Sequence, residues 1–270
     1  MTQYAPVAPL AGLRQLAQAD QLGRYQLLIA PIILEREEAY RQFFKVHNDQ
    51  FVIVDNGVIE LGYPLDARRL AMAALTVGAN VVVMPDTIDD GKMTAKQVRF
   101  SLPEYRRYDE VTDVMGVVQG VTIEECVECA RALVEAGVSW LGVPRGLTPN
   151  LGSRVPLVQV LAHEHGLPMH VLGFSNNIQD DLMAAVAHPL VRGIDAATPV
   201  WMKSELPMFP PTDAERALAL GRRPKNFWSS IPGPLLCANV ETVRSWLSDA
   251  QNARMGGQGP AAQVVLPTQP

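Results

Sequence analysis

The sequence predicts a single (β/α)8 barrel, and three observations lead to this fold class. Seven short segments, several of them almost continuously apolar, alternate with longer segments whose apolar residues recur at helical spacing. The chain has 270 residues, which suits one barrel of roughly 250 residues. No Pro-, Gly- or Ser-rich linker divides it. We therefore expect one barrel domain over residues 1–250 and a disordered tail, rich in Gly, Gln, Pro and Ala, over residues 251–270.

The predicted elements follow this alternation along the chain. Strands are expected at Gln26–Ile33, Gln50–Val54, Asn80–Met84, Asp113–Gln119, Ser139–Val143, Met169–Leu172 and Val191–Asp195. Helices are expected near Glu35–Lys45, Leu65–Val77, Thr94–Arg107, Thr122–Ala136, Arg154–His165 and Ile178–Ala187. The eighth strand is less distinct, with Phe227–Ile231 and the run around Leu235–Ala238 as its two candidates. A helix in every gap indicates a parallel sheet.

The charge, the apolar runs and the cysteines of the chain each argue against one class of protein or site. The net charge of −5 argues against attraction of nucleic acid to the whole surface, although a local basic rim is compatible with it. No apolar run is long enough to cross a bilayer, and the N-terminus lacks a signal-peptide pattern, so we expect a cytoplasmic protein. Cys126 and Cys129 form a CxxC inside a helical stretch with no further ligands nearby. We interpret the pair as ordinary packing and expect no metal site there.

Acidic residues follow three of the predicted strands, at the point where each strand ends. Asp55, Asp86 and Asp195 occupy these positions, and Gln119 ends a fourth strand. An aspartate after a strand is often only a turn residue, but three at equivalent positions favour a site. In such barrels the catalytic groups come from the C-terminal ends of the strands. The histidines show no evident partner and are not expected to be catalytic: His47, His163, His165, His170 and His188.

Clustered carboxyl groups of this kind suit displacement at the anomeric carbon of a sugar. Neighbouring carboxyl groups shift one another's pKa, so one can stay ionised and attack while another carries a proton. A further carboxylate and a primary amide match the donor and acceptor edge of a purine. Metal-assisted hydrolysis is the physical alternative, because aspartates also bind Mg²⁺.

The order of the strand-end motifs resembles the tRNA-guanine transglycosylase superfamily, whose members exchange guanine in a polynucleotide for a 7-deazaguanine. The resemblance spans roughly residues 52–199. Its motifs are Asp55-Asn56-Gly57, Asp86, Val118-Gln119-Gly120, Arg145-Gly146-Leu147, Val171-Leu172-Gly173-Phe174-Ser175 and Gly193-Ile194-Asp195-Ala196-Ala197-Thr198-Pro199. The Asp-x-x-x-Pro spacing matches Asp195 to the family's nucleophile.

The resemblance implies a role for each matched residue. Asp195 would attack the sugar, and Asp55 would handle protons for the departing and incoming bases. The expected base-binding residues are Asp86, Gln119, Gly146, Leu172, Gly173 and Ile59. No cofactor and no metal are implied for the reaction.

The chain also departs from the family pattern. Val58 replaces a glycine, aliphatic Ile59 stands where the family has an aromatic that stacks on the base, and Leu172 stands where it usually has Met. The family's zinc module is absent, since Cys237 is the only cysteine after Cys129. This is more similar to the compact phage-type enzymes that insert 7-deazaguanines such as preQ0 into DNA. The resemblance therefore implies DNA as the polymer and no membrane partner, with a homodimer left open.

Several alternatives stay open from the sequence. The same exchange on tRNA, a metal-dependent barrel hydrolase or aldolase, and a non-catalytic base-binding paralogue compete with the DNA reaction. We expect basic side chains to bind the phosphates of a nucleic-acid backbone at two places in the sequence. One is Arg145, beside the expected pocket, and the other is a segment that also contains Phe227 and Trp228. That segment contributes Arg222, Arg223 and Lys225. A solvated loop is the competing interpretation of this segment.

Overall fold

The computed structural model describes residues 1–202, 204–208, 210, 227–229 and 232–256. Eight parallel strands form a nearly closed (β/α)8 barrel, so the predicted fold class is confirmed. In chain order the strands are β1 (Gln3–Pro6), β2 (Tyr25–Ile29), β3 (Phe51–Asp55), β4 (Val81–Val83), β5 (Asp113–Val117), β6 (Trp140–Pro144), β7 (Met169–Leu172) and β8 (Val191–Ala196).

The helices lie between the strands and cover the barrel. They are α1 (Leu10–Gln18), α2 (Ala30–Glu35), α3 (Glu37–Val46), α4 (Val58–Leu61), α5 (Ala67–Val77), α6 (Gly91–Arg106), α7 (Ile123–Ala136), α8 (Thr148–Leu151), α9 (Val155–His165), α10 (Ile178–Val186), α11 (Thr198–Trp201) and α12 (Leu236–Met255). Short polar side chains begin several of them by accepting a backbone N–H of the first turn, as Asp66, Asp90, Thr122 and Asn177 do. These caps fix where the loops end.

The order of the strands brings all their carboxyl ends to one rim. Hydrogen-bonded ladders connect the strands in the order β1-β8-β7-β6-β5-β4-β3-β2. The register pairs Asp55 with Ile29 of β2 and Asp195 with Ala5 of β1. β1 and β2 lie against each other and bring the two edges of the sheet together. Asp55 and Asp195, which are 140 positions apart in the sequence, therefore lie at the same rim of the barrel.

The prediction for the eighth strand was wrong. The strand that completes the barrel is β1, at the N-terminus, and it pairs with β8. Of the two candidates, Phe227–Ser229 forms a 3₁₀ turn and Leu236 begins α12. The physical reason is that β1 (QYAP) contains no Val, Ile or Leu and ends in proline, so it lacks the apolar run by which the other strands are recognised.

The end of the barrel domain also differs from the prediction. The last helix, α12, runs to Met255 and packs against β1, α10 and α11. Residues 251–255, predicted to belong to a tail, are therefore helical. Residues 257–270 of that tail lie outside the described residues. None of the helices in the described part of the chain is both long and apolar enough to cross a membrane.

A column of rings fills part of the barrel interior beneath the rim. Trp140 packs against Phe51, Phe51 stacks on Tyr25 and Tyr25 stacks on His170, with centroid separations of 5.6, 5.3 and 5.6 Å. Gly193 of β8 makes room for this column, because a Cβ at that position would overlap the Tyr25 ring. His170 is the last ring of this column and places a polar side chain near the carboxyl ends of the strands.

Candidate active site

A cavity of about 540 Å³ opens at the carboxyl ends of the strands, within the size range of small-molecule sites. The predicted catalytic and base-binding residues all lie in its wall, together with Arg145: Asp55, Ile59, Asp86, Gln119, Gly146, Leu172, Gly173 and Asp195. Aromatic residues Phe174 and Trp201 add apolar surface. The predicted backbone-binding residues Arg222, Arg223 and Lys225 lie outside the described residues.

In the described part of the chain, the Asp195 carboxyl group makes hydrogen bonds through only one of its two oxygens. Its Oδ1 accepts the Gly173 backbone N–H at 3.0 Å and contacts His170 Nε2 at 2.9 Å. Among the described residues, Oδ2 has no hydrogen-bond donor, although Asp195 lines the cavity. The carboxyl group is therefore oriented through one oxygen, and the other is left for a ligand.

Gly173 has a backbone conformation that few other residues adopt. Its φ is +70°, and a Cβ there would lie 3.1 Å from Arg145 Cδ. This conformation follows directly after β7 and turns the N–H of Gly173 toward Asp195. A side chain at this position would strain the turn that holds the carboxylate.

Asp86 lies at the centre of a network of amides. Its Oδ1 accepts from Asn56 Nδ2 at 3.0 Å, and its Oδ2 accepts from Gln119 Nε2 at 2.7 Å. Asn56 also donates to the Met84 carbonyl, and Gln119 Oε1 accepts the backbone N–H of Asp89. Burial raises the pKa of Asp86, while these amide donors oppose the rise. Gln119, predicted to read a base, is seen to orient Asp86.

Asp55 holds its proton more firmly than an ordinary aspartate. Loss of hydration in the cavity wall, together with the nearby charges of Glu60, Asp86 and Asp195, raises the pKa of Asp55 to about 8. The backbone N–H of Gly57, which donates to Oδ1 at 2.7 Å, acts in the opposite direction. The cavity thus contains a carboxyl group that carries a proton at neutral pH, as a general acid requires.

The opposite wall of the cavity comes from the loops after β6 and β7. Arg145 and Gly146 lie exposed in a 3₁₀ turn, and Leu172 is partly buried. Ile59, in α4, is 56% exposed and lies at the mouth. Ile59 and Leu172 thus add aliphatic surface to the cavity, which contacts a ring without aromatic stacking.

A buried ion pair supports the loop that carries Gly173. Arg154 has no exposed surface; its guanidinium donates to Asp181 Oδ1 at 2.6 Å and to the carbonyls of Val143, Leu172 and Gly173. Asp181 also accepts the Ser175 backbone N–H at 2.6 Å and the Ser175 hydroxyl at 2.8 Å. Burial raises the pKa of Asp181, and the Arg154 charge opposes that rise. The pair ties the ends of β6 and β7 to α10.

Comparison with known proteins adds no assignment to this geometry. No protein-family model matches the chain, and no curated protein is significantly similar to it. Across the described ranges, no group of three or more His, Cys, Asp or Glu is arranged to hold a metal ion.

The CxxC pair lies away from the cavity surface. Cys126 and Cys129 are both buried free thiols in α7, and burial raises the pKa of Cys126 to about 12 and of Cys129 to about 11. The Cys129 sulfur accepts the Gln119 backbone N–H at 3.4 Å. The geometry agrees with a packing role, through which Cys129 supports the strand end that carries Gln119.

The sequence showed no partner for His170, whereas the structure gives it two. It is fully buried between Asp195 and the Tyr25 hydroxyl, with both contacts at 2.9 Å. A usable signal was present: His170 lies two residues before Leu172 on one strand, and such residues point to the same face. Asn56, Arg154 and Asp181 were also missed, because their partners are distant in sequence.

Proposed function

We propose that this protein is a base-exchange transglycosylase that replaces guanine in DNA with a 7-deazaguanine such as preQ0. One observation carries the proposal: a single cavity contains Asp195, whose Oδ2 has no hydrogen-bond donor among the described residues, and Asp55, whose surroundings raise its pKa to about 8. Displacement at an anomeric carbon uses such a pair, one group attacking and the other supplying a proton. The strand-end motifs that resemble the transglycosylase superfamily surround the same cavity.

Recognition of the purine rests on Asp86 and the loop after β6. A carboxylate has about four acceptor positions, and Asn56 and Gln119 use two of them. The remaining ones accept the N1–H and exocyclic amine of guanine, while the Gly146 N–H donates to O6. The target nucleotide has to leave its stack to reach this depth, as in other enzymes that act on bases.

The first displacement moves the sugar from guanine to the protein. Asp195 Oδ2 forms a bond to C1′ while the C1′–N9 bond breaks and its electron pair goes to the base. Asp55 gives its proton to the departing guanine and becomes a carboxylate. The sugar is then esterified to Asp195.

The second displacement restores the protein. A 7-deazaguanine enters the vacated cavity, loses its N9 proton to Asp55 and attacks C1′. Asp195 leaves as a carboxylate. Two inversions retain the configuration at C1′. The overall exchange consumes no oxidant, reductant or nucleoside triphosphate.

Incubation with labelled preQ0 and either duplex DNA or unmodified tRNA tests the proposal. We expect label to enter DNA with release of one guanine per base inserted, and Asp195→Ala to abolish it. Label entering tRNA alone would make tRNA the polymer. Label entering neither polymer across a range of salt concentrations, or a stoichiometric requirement for a divalent metal, would overturn the exchange mechanism.

A further inference from the structure

A buried chain of hydrogen bonds runs from the barrel core to the proposed nucleophile. The Tyr25 hydroxyl lies 2.9 Å from His170 Nδ1, and His170 Nε2 lies 2.9 Å from Asp195 Oδ1. Tyr25 and His170 are at most 3% exposed. The chain connects three strands, β2, β7 and β8, and none of its contacts depends on a surface loop.

The contacts determine which nitrogen of the His170 ring carries the proton. In the described residues the Tyr25 hydroxyl has no other hydrogen-bond partner, and burial raises its pKa, so its O–H stays protonated and is taken as the donor. His170 Nδ1 is then the acceptor, and the ring proton lies on Nε2. That N–H donates to Asp195 Oδ1.

The column of rings shows that this arrangement is built into the barrel. Tyr25 stacks between Phe51 and His170, and Gly193 leaves space for the Tyr25 ring on the neighbouring strand. An apolar residue at 170 would fill the same position in the column. A histidine there adds a second donor to the Asp195 oxygen that already accepts the Gly173 N–H.

We infer that His170 is a positioning residue for the exchange reaction, which orients Asp195 so that Oδ2 attacks and stabilises its negative charge when the carboxylate leaves. The inference rests on the proposed function. In the glycosyl-enzyme, Oδ1 becomes the ester carbonyl oxygen, and charge returns to it as the C1′–O bond breaks. Donors fixed in advance from His170 and Gly173 meet that charge without rearrangement.

Three variants separate positioning from packing. His170→Phe keeps a ring but removes the donor, and we expect kcat for exchange to fall about 100-fold, with KM for both substrates changed less than about twofold. His170→Gln retains an N–H and should restore kcat to within roughly tenfold of the wild-type value. Tyr25→Phe keeps the stacking ring, removes the hydroxyl and should fall between these two. His163→Gln, on the exposed face of α9, is the control and should exchange at the wild-type rate.

A measurement without substrate tests the same geometry. Nitrogen-15 NMR of histidine-labelled wild-type protein should show His170 as the Nε2–H tautomer with an unprotonated Nδ1, and Tyr25→Phe should shift that resonance. Wild-type exchange by His170→Phe, or an Nδ1–H tautomer, would overturn the inference while leaving the proposed function intact. If the wild-type protein exchanged no base, the proposed function would be contradicted, and the role of His170 in exchange would be contradicted as well.

Discussion

Two acids in the same cavity have different surroundings, and the difference suits different tasks. Asp55 accepts only one backbone N–H. Its pKa is raised to about 8 by loss of hydration and by the nearby acids. Asp195 receives two N–H donors on one oxygen, from His170 and Gly173. The two acids are therefore held differently: Asp55 is suited to donate a proton, and Asp195 is oriented through one oxygen.

Replacing Asp55 by Asn tests its proton-handling role. We expect the rate of guanine release to fall about 10²- to 10⁴-fold, because the departing base loses its proton donor. In the wild-type protein the release rate should decline as the pH rises through about 8, where Asp55 loses its proton. Single-turnover release between pH 6 and 10 measures both effects. A decline of the same shape in Asp55→Asn would show that another group supplies the proton.

Replacing Asp86 by Ala tests base recognition. The variant lacks the acceptor for N1–H and the exocyclic amine, so we expect discrimination between 7-deazaguanine and 7-deazahypoxanthine to fall about tenfold or more. The rate with saturating base should change less than the discrimination. Competition between the two bases for incorporation measures the ratio. Unchanged discrimination would remove Asp86 from the recognition of the exocyclic amine.

Reasoning from the sequence identified the acids of the site but not what supports them. Asp55, Asp86 and Asp195 were found because alternating strands and helices leave few polar residues at strand ends. His170 was missed because its partners, Tyr25 and Asp195, are 145 and 25 residues away. Partners at such distances become neighbours only after the barrel closes.

At the scale of elements, the loop that carries Gly173 depends on the buried pair of Arg154 and Asp181. Arg154 holds carbonyls from the ends of both β6 and β7, so the pair fixes two strand ends and one helix at once. Removing either partner leaves the other charge buried and uncompensated.

Replacing Arg154 by Met should therefore destabilise the protein by about 3–5 kcal/mol, measured by urea unfolding. The matched control is Arg131→Met, because Arg131 forms an exposed pair with Glu164 at 3.5 Å. That variant should change the free energy of unfolding by less than about 1 kcal/mol. Equal effects of the two substitutions would contradict a structural role for the buried pair.

Each of the seven predicted strands overlaps a strand of the barrel, because each is largely apolar. The first was predicted too long: residues 30–33 of the predicted Gln26–Ile33 belong to α2, which has Pro31 in its first turn. The eighth strand, β1, was not found, since its sequence QYAP contains no Val, Ile or Leu. β1 pairs with β8, the last strand in chain order, and lies against β2 at the other edge of the sheet. Local patterns carry no information about such a pairing.

For the whole molecule, buried acids set the pH dependence of stability. The pKa of Asp55 rises from 3.8 to about 8 on folding, so between those pH values the folded protein holds a proton that the unfolded chain has released. Stability should therefore fall as the pH rises through this window, by at most about 1.4 kcal/mol per pH unit for this one proton. Asp86 and Asp181, whose pKa values burial also raises, act in the same direction.

Urea unfolding of wild type and Asp55→Asn at pH 5, 6, 7 and 8 measures this contribution. The variant cannot titrate at residue 55, so its stability should fall less steeply with pH. Asp66→Asn, at an exposed helix cap, serves as the control and should keep the wild-type slope. Parallel curves for wild type and Asp55→Asn would contradict the raised pKa.

The proposed mechanism requires Asp195 to form a covalent bond to the sugar of the target nucleotide. Incubating the protein with guanine-containing DNA, removing released guanine, then denaturing and digesting the mixture would trap that bond. Mass spectrometry should find the nucleotide on the peptide that contains Asp195, in wild type and Asp66→Asn but not in Asp195→Ala. A nucleotide adduct of equal yield in Asp195→Ala, or attached to another residue, would contradict the assignment.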